Sequence, residues 1–223
     1  MGPPSRARIA VGDARIELGG SADFAIDWKA FSAIFADEEY AAEYSGAHVL
    51  DVGAHRGYFG AYALTSGASA VASFEPEVRN YETLARTAKR VGDKWLTRQA
   101  AVGERSGTGT LLVDRLSWSH SLVKVARPVA EQLVAIVTLE QALEDVPLDS
   151  PCVIVKIDAE GSECDILARP EALARVDVLL VEWHPEKAPC SRDELTRSVE
   201  QAGLRLRPRN DTILRYVRTP DGE

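Results

Sequence analysis

Four carboxylates in this chain stand where an apolar run gives way to a turn: Asp51, Glu75, Asp158 and Glu182. One acid in such a place is an ordinary helix cap. Four are expected to gather on one sheet edge, beyond the strand ends where open α/β proteins bind ligands. Lys156 lies inside an otherwise apolar run, two residues before Asp158, so on an extended strand the two share a face. Burying that lysine unpaired would be costly, so it either pairs with an acid or shapes a reaction site. His184 follows Glu182 by two residues, and imidazole has the intrinsic basicity to take a proton near neutral pH. Asp158, His184, Lys156 and Glu182 are therefore the candidate catalytic residues, with Asp158 the first choice of base and His184 the second. Asp158, Glu160 and Glu182, all hard oxygen donors, offer an alternative as a magnesium site.

The glycine turn after Asp51 bears on the cofactor. A dinucleotide site wants GxGxxG, so that backbone approaches a pyrophosphate at a helix N-terminus. Here the turn is Gly53-Ala54-His55-Arg56-Gly57, with His55 where the middle glycine would stand. Asp51 beside a diphosphate is unfavourable, whereas beside a ligand carrying an ammonium and a sulfonium it is favourable. The turn therefore favours S-adenosylmethionine over a nicotinamide dinucleotide. Glu75 is placed to accept both hydroxyls of an adenosine ribose, a feature common to both cofactors.

These residues need elements to position them. Residues 6–18 alternate around Gly12-Asp13 and predict two short strands joined by a turn. Trp28, Phe31, Ile34 and Phe35, then Tyr40 and Tyr44, predict one or two helices over 27–45, packing on the sheet or walling a pocket. Strands are expected to end at Asp51 and Glu75, each followed by a helix (58–66 and 77–91), with a third strand over 95–102. This βαβ series predicts a parallel sheet with helices on both faces. Residues 103–131 are the least regular, with a short strand at 110–113 and a possible partner at 133–138. The run 152–158 is the mark of a central strand buried on both faces. A helix start at 160–167, a strand at 176–183 and a helix at 192–202 with the capping-box spacing Ser191–Glu194 follow. Two final strands, 204–207 and 212–217, flank a turn at 208–211. His120, in the irregular stretch, and Trp118 and Trp183 are candidate contacts for a substrate, as is Glu160.

The 223 residues suit one cored domain, 45% hydrophobic and 27% charged. Lys+Arg 26 against Asp+Glu 34 leaves a net charge of −8, which argues against gripping a phosphate backbone. Cys152, Cys164 and Cys190 are odd in number and form no CxxC pair, so neither a zinc site nor a disulfide is expected. No apolar leader or bilayer-spanning run is visible, and the expected location is cytoplasmic.

The ordered series VLDVGAHRGYFG (49–60), FEPE (74–77) with Asn80, AVG (101–103), SHSL (119–122), VTLEQAL (137–143), VIVKIDAEGSECDIL (153–167) and VLLVEWH (178–184) resembles the FkbM-type class I S-adenosylmethionine-dependent methyltransferases. The resemblance implies a single Rossmann-like α/β domain over 46–223, its seven-stranded, mostly parallel sheet closed by an antiparallel last strand. Residues 1–45 would be a hairpin and helical accessory segment, and 104–131 an irregular insertion. It implies methyl transfer to a hydroxyl or carboxylate oxygen of a small acceptor such as a sugar or secondary metabolite. Asp51, Gly53, Ala54, His55, Gly57 and Tyr58 would hold the methionine part of the cofactor, Glu75 its ribose and Ala101 its adenine, with Asp158 nearby. His55 departs from the family's usual asparagine and Glu140 from its usual aspartate. A non-catalytic S-adenosylmethionine-binding module and a nicotinamide-dependent oxidoreductase remain the other readings. The expected partner is a small-molecule acceptor, with no nucleic acid or membrane, and the oligomeric expectation extends to a homodimer.

Overall fold

Five-residue apolar runs are too short for core helices and long enough for strands. The computed structural model describes residues 7–11, 14–18, 24–207 and 212–219. The antiparallel pair β1 (Ala7–Val11) and β2 (Ala14–Leu18) is followed by α1 (Phe24–Phe35). The β/α alternation is β3 (His48–Val52), α2 (Tyr58–Thr65), β4 (Ala70–Phe74), α3 (Val78–Val91) and β5 (Trp95–Arg98). Next come β6 (Ala101–Val102), β7 (Gly107–Val113), β8 (Ala130–Val137) and α4 (Leu139–Leu143). The chain closes with β9 (Val153–Ile157), α5 (Glu163–Ile166), β10 (Val178–Glu182), α6 (Arg192–Gln201), β11 (Leu204–Leu206) and β12 (Ile213–Arg218).

Seven strands form the main sheet in the order β11-β12-β10-β9-β3-β4-β5. All run parallel except β12, which is antiparallel to both β10 and β11. Successive connections leave β3 in opposite directions, first to β4 and β5 and later to β9 and β10. This is a switch point, where a crevice opens beyond the strand ends.

Strand alternation divides the core into two layers. Leu50, Val52, Val155, Ile157, Leu179 and Val181 face the layer containing α4 and α6. Val49, Ile154 and Leu180 face the other, with Ile34 of α1, Phe59 of α2 and Leu84 of α3. Asp51, Lys156 and Glu182 occupy the alternate positions that point to this second side. α1 is tied to the glycine turn by a bidentate ion pair between fully buried Asp27 and Arg56, at 2.6 and 2.8 Å.

Several expectations need correction. Residues 36–45 are irregular and not helical, because Tyr40 and Tyr44 are buried individually by tertiary contacts. The strand expected over 95–102 is two strands in different sheets: β5 edges the main sheet, while β6 pairs with β8. Part of the irregular stretch is the seven-residue β7, antiparallel to β8. The short α4 carries a Thr138–Gln141 capping box that the sequence reading missed. The Ser191–Glu194 box opens α6 as expected. The turns at 12–13 and 208–211 lie outside the described residues.

Candidate active site

A polar row crosses the buried sheet. Asp51 is register partner to Ser73 of β4 and to Lys156 of β9, and parallel partners project to the same face. Ser73 Oγ donates to Asp51 Oδ2 at 3.2 Å, and Trp95 Nε1 donates to Ser73 at 2.9 Å. Lys156 Nζ lies 3.3 Å from Asp51 Oδ1 and 3.5 Å from Asp158 Oδ2, and donates to the Gly53 carbonyl at 2.8 Å. Burial pushes the Asp51 carboxyl up, and Lys156 and Ser73 pull it back. Burial also works against the Lys156 cation, yet Asp51, Asp158 and Glu182 outweigh it and hold the ammonium charged.

The turn after β3 is set by close backbone approach. A Cβ on Gly53 would lie 1.8 Å from the Asp158 carbonyl oxygen, and its φ is +73°. No side chain fits there. Just beyond it, Glu75 Oε2 accepts from the His55 N–H at 2.8 Å and Oε1 from the Glu77 N–H at 2.9 Å. Burial raises the Glu75 carboxyl to about 8 against those hydrogen bonds. His55 itself sits at φ 51°. Burial, with the positive charges of Arg56, His120 and Lys156, holds its imidazole well below the ordinary range, so it is neutral.

Two hollows adjoin along this edge. A narrow crevice of about 60 Å³ is lined by Gly53, His55, Glu75, Asn80, Ala101, Leu111, Ser117, Trp118, His120 and Asp158, among others. Its roof is the irregular segment around Ser117, whose carbonyl accepts from Asn80 Nδ2 at 2.7 Å and whose Oγ lies 3.1 Å from His55 Nε2. The second hollow, about 520 Å³, has an apolar side including Ile34, Tyr58 and Phe59 and an acidic side including Glu39, Asp158, Glu160, Glu182 and Glu186. Among the described residues, only His55, Trp118 and Asp158 line both.

His184 organises the acidic side. Its Nδ1 is 2.9 Å from Glu163 Oε1, while Nε2 faces Glu160 at 3.7 Å and Asp158 and Glu182 at 3.8 Å each. Burial opposes the imidazolium, but the Glu163 hydrogen bond and the surrounding carboxylates lift it to about 10. A value that high favours the protonated imidazolium at neutral pH. Burial and the Asp158 charge push Glu182 to about 8, against the Tyr40 hydrogen bond and the His184 and Lys156 charges. Lys187 pairs with Glu160 and also donates to Ser119 at 3.0 Å.

The other expected residues divide. Ala54 and Tyr58 line the larger cavity, and Ala101 and His120 the crevice. Asp51 is fully buried and lines neither, because Lys156 and Ser73 occupy its oxygens. Gly57 packs against Leu84 and Trp95. Trp183 packs on the core layer of α4 and α6. Asp158, Glu160 and His184 each bring one donor atom within 4.8 Å of the others. Within this group Glu160 is also paired with Lys187. Sequence reasoning missed Tyr40, Glu39, Glu163 and Lys187. Only Tyr40 had a signal, as part of the aromatic stripe.

The cysteine expectation is also overturned: Cys164 and Cys190 form a disulfide. They are 26 residues apart, but the adjacent parallel strands β9 and β10 deliver α5 and the 183–191 loop to the same edge. Odd cysteine number and spacing carry no trace of that adjacency, and Cys152 is left free.

For S-adenosylmethionine the crevice residues fit. The Gly53 turn brings backbone close, Glu75 keeps oxygens beside a ribose position with their orientation set by two N–H groups, and Ala101, Leu111 and Leu122 give flat apolar walls.

A seven-stranded sheet with one reversed strand and a ligand crevice at its switch point defines the class I methyltransferase fold. The chain belongs to the FkbM methyltransferase domain family, whose model matches residues 51–206. It is similar to methyltransferase FkbM from Methylobacillus flagellatus KT (TM-score 0.54, 19% identity), covering 83% of this chain and 47% of that one. It therefore spans about half the length of that relative. The magnesium protoporphyrin IX methyltransferase of Synechocystis PCC 6803, solved with bound S-adenosylmethionine, matches at TM-score 0.48 and 13% identity over 86% of this chain and 77% of that one. No protein with a curated description matches the chain. No helix among the described residues is long and apolar enough to cross a membrane.

Proposed function

We propose that the protein transfers a methyl group from S-adenosylmethionine to an oxygen of a small-molecule acceptor. The carrying observation is that Asp158 lines both the crevice and the larger cavity, so one carboxylate faces cofactor and acceptor together. The cofactor supplies an electrophilic methyl group on a positively charged sulfur. Gly53, His55, Glu75 and Ala101 hold it in the crevice. In-line displacement requires the acceptor oxygen about 3 Å from that methyl and a group to take its proton. Asp158 takes that proton, held in place by Lys156 Nζ at 3.5 Å. His184, charged and fixed by Glu163, orients the carboxylates around the acceptor. The apolar side formed by α1 and α2 suits the body of the acceptor, and Trp118 covers it. No metal is part of this reading, and the net charge of −8 argues against a nucleic-acid acceptor.

The test is thermal unfolding with S-adenosylmethionine, S-adenosylhomocysteine or NAD, since a ligand that binds only the folded state raises the melting temperature. Stabilisation by the first two is expected. Stabilisation by NAD alone would sink the reading. A screen of sugars, carboxylic acids and phenols with labelled methyl donor then identifies the acceptor.

A further inference from the structure

Tyr40 lies outside the family-matched residues 51–206 and belongs to no helix or strand, yet it is 3% exposed. Each part of it is engaged. Its ring meets Phe59 edge-on at 5.2 Å between centroids, and Lys156 Nζ lies 5.7 Å from the ring centre. Its carbonyl accepts from the Tyr44 hydroxyl at 2.5 Å. Its own hydroxyl donates to Glu182 Oε2 across 142 residues of sequence.

The other oxygen of Glu182 is left differently. Oε1 is 3.8 Å from His184 Nε2, beyond hydrogen-bond reach, and accepts no hydrogen bond among the described residues. Both Tyr40 and Glu182 line the larger cavity, as do Ile34 and Trp118. Occupying one oxygen of a carboxylate orients the other.

We infer that Tyr40 is a positioning residue for the acceptor: by taking Glu182 Oε2 it turns Oε1 into the cavity, where the ionised carboxylate accepts a hydrogen bond from an acceptor that carries a hydroxyl or ammonium group beside an apolar body. The segment before the family-matched region thereby helps to select the substrate of a strand-end carboxylate within it. The role assigned to the acceptor rests on the methyltransferase reading; the dependence of Glu182 on Tyr40 does not.

The groups facing this pair are Asp158 and Lys156 from β9 and its following turn, His184 from the loop after β10, and Glu39 from the segment carrying Tyr40. The hydroxyl stabilises the charged carboxylate, so its loss should raise the Glu182 titration. The experiment follows the Glu182 carboxyl signal by NMR in protein labelled with carboxyl-¹³C glutamate, assigned by its loss in Glu182→Gln. In Tyr40→Phe the midpoint should rise by about half a unit or more, with S-adenosylhomocysteine affinity within about twofold of wild type. An unchanged midpoint in a folded variant overturns the inference. Should Tyr40→Phe not fold, the phenol of Tyr40 is titrated by ultraviolet absorbance in Glu182→Gln. It should ionise at lower pH than in wild type, and no change overturns the coupling.

Three probes with one apolar body test the acceptor class: cyclohexanol, cyclohexylamine and cyclohexyl methyl ether. Measured above about pH 8, where Glu182 is ionised, the first two should shift its signal and the ether should not. Equal shifts from all three, or none, overturn the hydrogen-donor assignment. Failure of S-adenosylhomocysteine to bind would instead remove the methyltransferase reading, leaving the Tyr40→Phe titration to stand or fall alone.

Discussion

The crevice and the cavity share Asp158, His55 and Trp118 but hold their carboxylates in different ways. In the crevice Glu75 is held by the His55 and Glu77 N–H groups at two consecutive strand ends, while residues from 100–102, 111–122 and 158–162 complete the lining. The cavity gathers Ile34, Tyr40, Phe59, Asp158, Glu182 and Lys187 from six separate stretches of chain. Their electrostatics differ as well. In the crevice, Glu75 is held by two backbone N–H groups and has no cation within salt-bridge distance among the described residues. In the cavity, Lys156, His184 and Lys187 are interleaved with carboxylates. A carboxylate anchored by local backbone has a fixed orientation, whereas carboxylates held by side-chain charge are open to retuning.

The comparison can be broken most severely at Gly53. Gly53→Ala puts a Cβ within 1.8 Å of the Asp158 carbonyl, forcing the ends of β3 and β9 apart. A stability loss of about 4 kcal/mol or more, or no folded protein, is expected in urea unfolding. A loss below about 1 kcal/mol would show that the turn is not tight. Next in size, Asp158→Asn should lower turnover about 10²–10⁴-fold, the range for losing a general base. S-adenosylhomocysteine affinity by calorimetry should move by less than about threefold, and equal losses in both would make Asp158 a cofactor contact only.

Asp51 separates the sequence reading from the structural one. A direct charge contact to the cofactor would make Asp51→Asn bind about tenfold more weakly. As a buried strut for Lys156 it should instead cost about 2–4 kcal/mol of stability, with affinity nearly unchanged. Measuring both on one preparation decides between them.

The smallest effect concerns pH. His184 gains partners on folding, and its folded value of about 10 lies above the ordinary 6.5. The resulting stability is fully present below pH 6.5, declines above it and is gone beyond about 10. Wild type should therefore exceed His184→Gln most at pH 6, with the gap narrowing at pH 8 and closing near 10. Glu75, raised from 4.5 to about 8, is favoured in its neutral form by the fold. Its contribution is likewise lost with rising pH, but over the lower window from 4.5 to 8. A gap for His184→Gln that widened with pH would mean that the imidazole is buried neutral.

Much of this protein is legible before folding is considered. The parallel strands, their terminal carboxylates, the glycine turn and the Ser191–Glu194 cap are local, because strand length, turn conformation and capping depend on residues within a few positions of one another. That locality is why Gly53, Glu75 and Asp158 could be nominated from type and spacing. Lys187 and Glu163 could not, since no local pattern distinguishes them from surface or core residues, and Tyr40 showed only as a member of the aromatic stripe. Asp51 was nominated as a cofactor contact, and the structure shows it beside Lys156 and Ser73. Its register partner across β3 and β9 is 105 positions away, and sheet register follows from packing of the whole layer.

The order of apolar runs and turns thus determines the architecture and half of the site, because those features arise from short-range sterics and alternation. Which carboxylate meets which cation, that Cys164 reaches Cys190, and that the loop holding Tyr40 lies against Glu182 are decided only when distant strands become neighbours. In the buried interior a charge takes whatever counter-charge the topology brings within a few ångströms, and that pairing is a property of the assembled sheet.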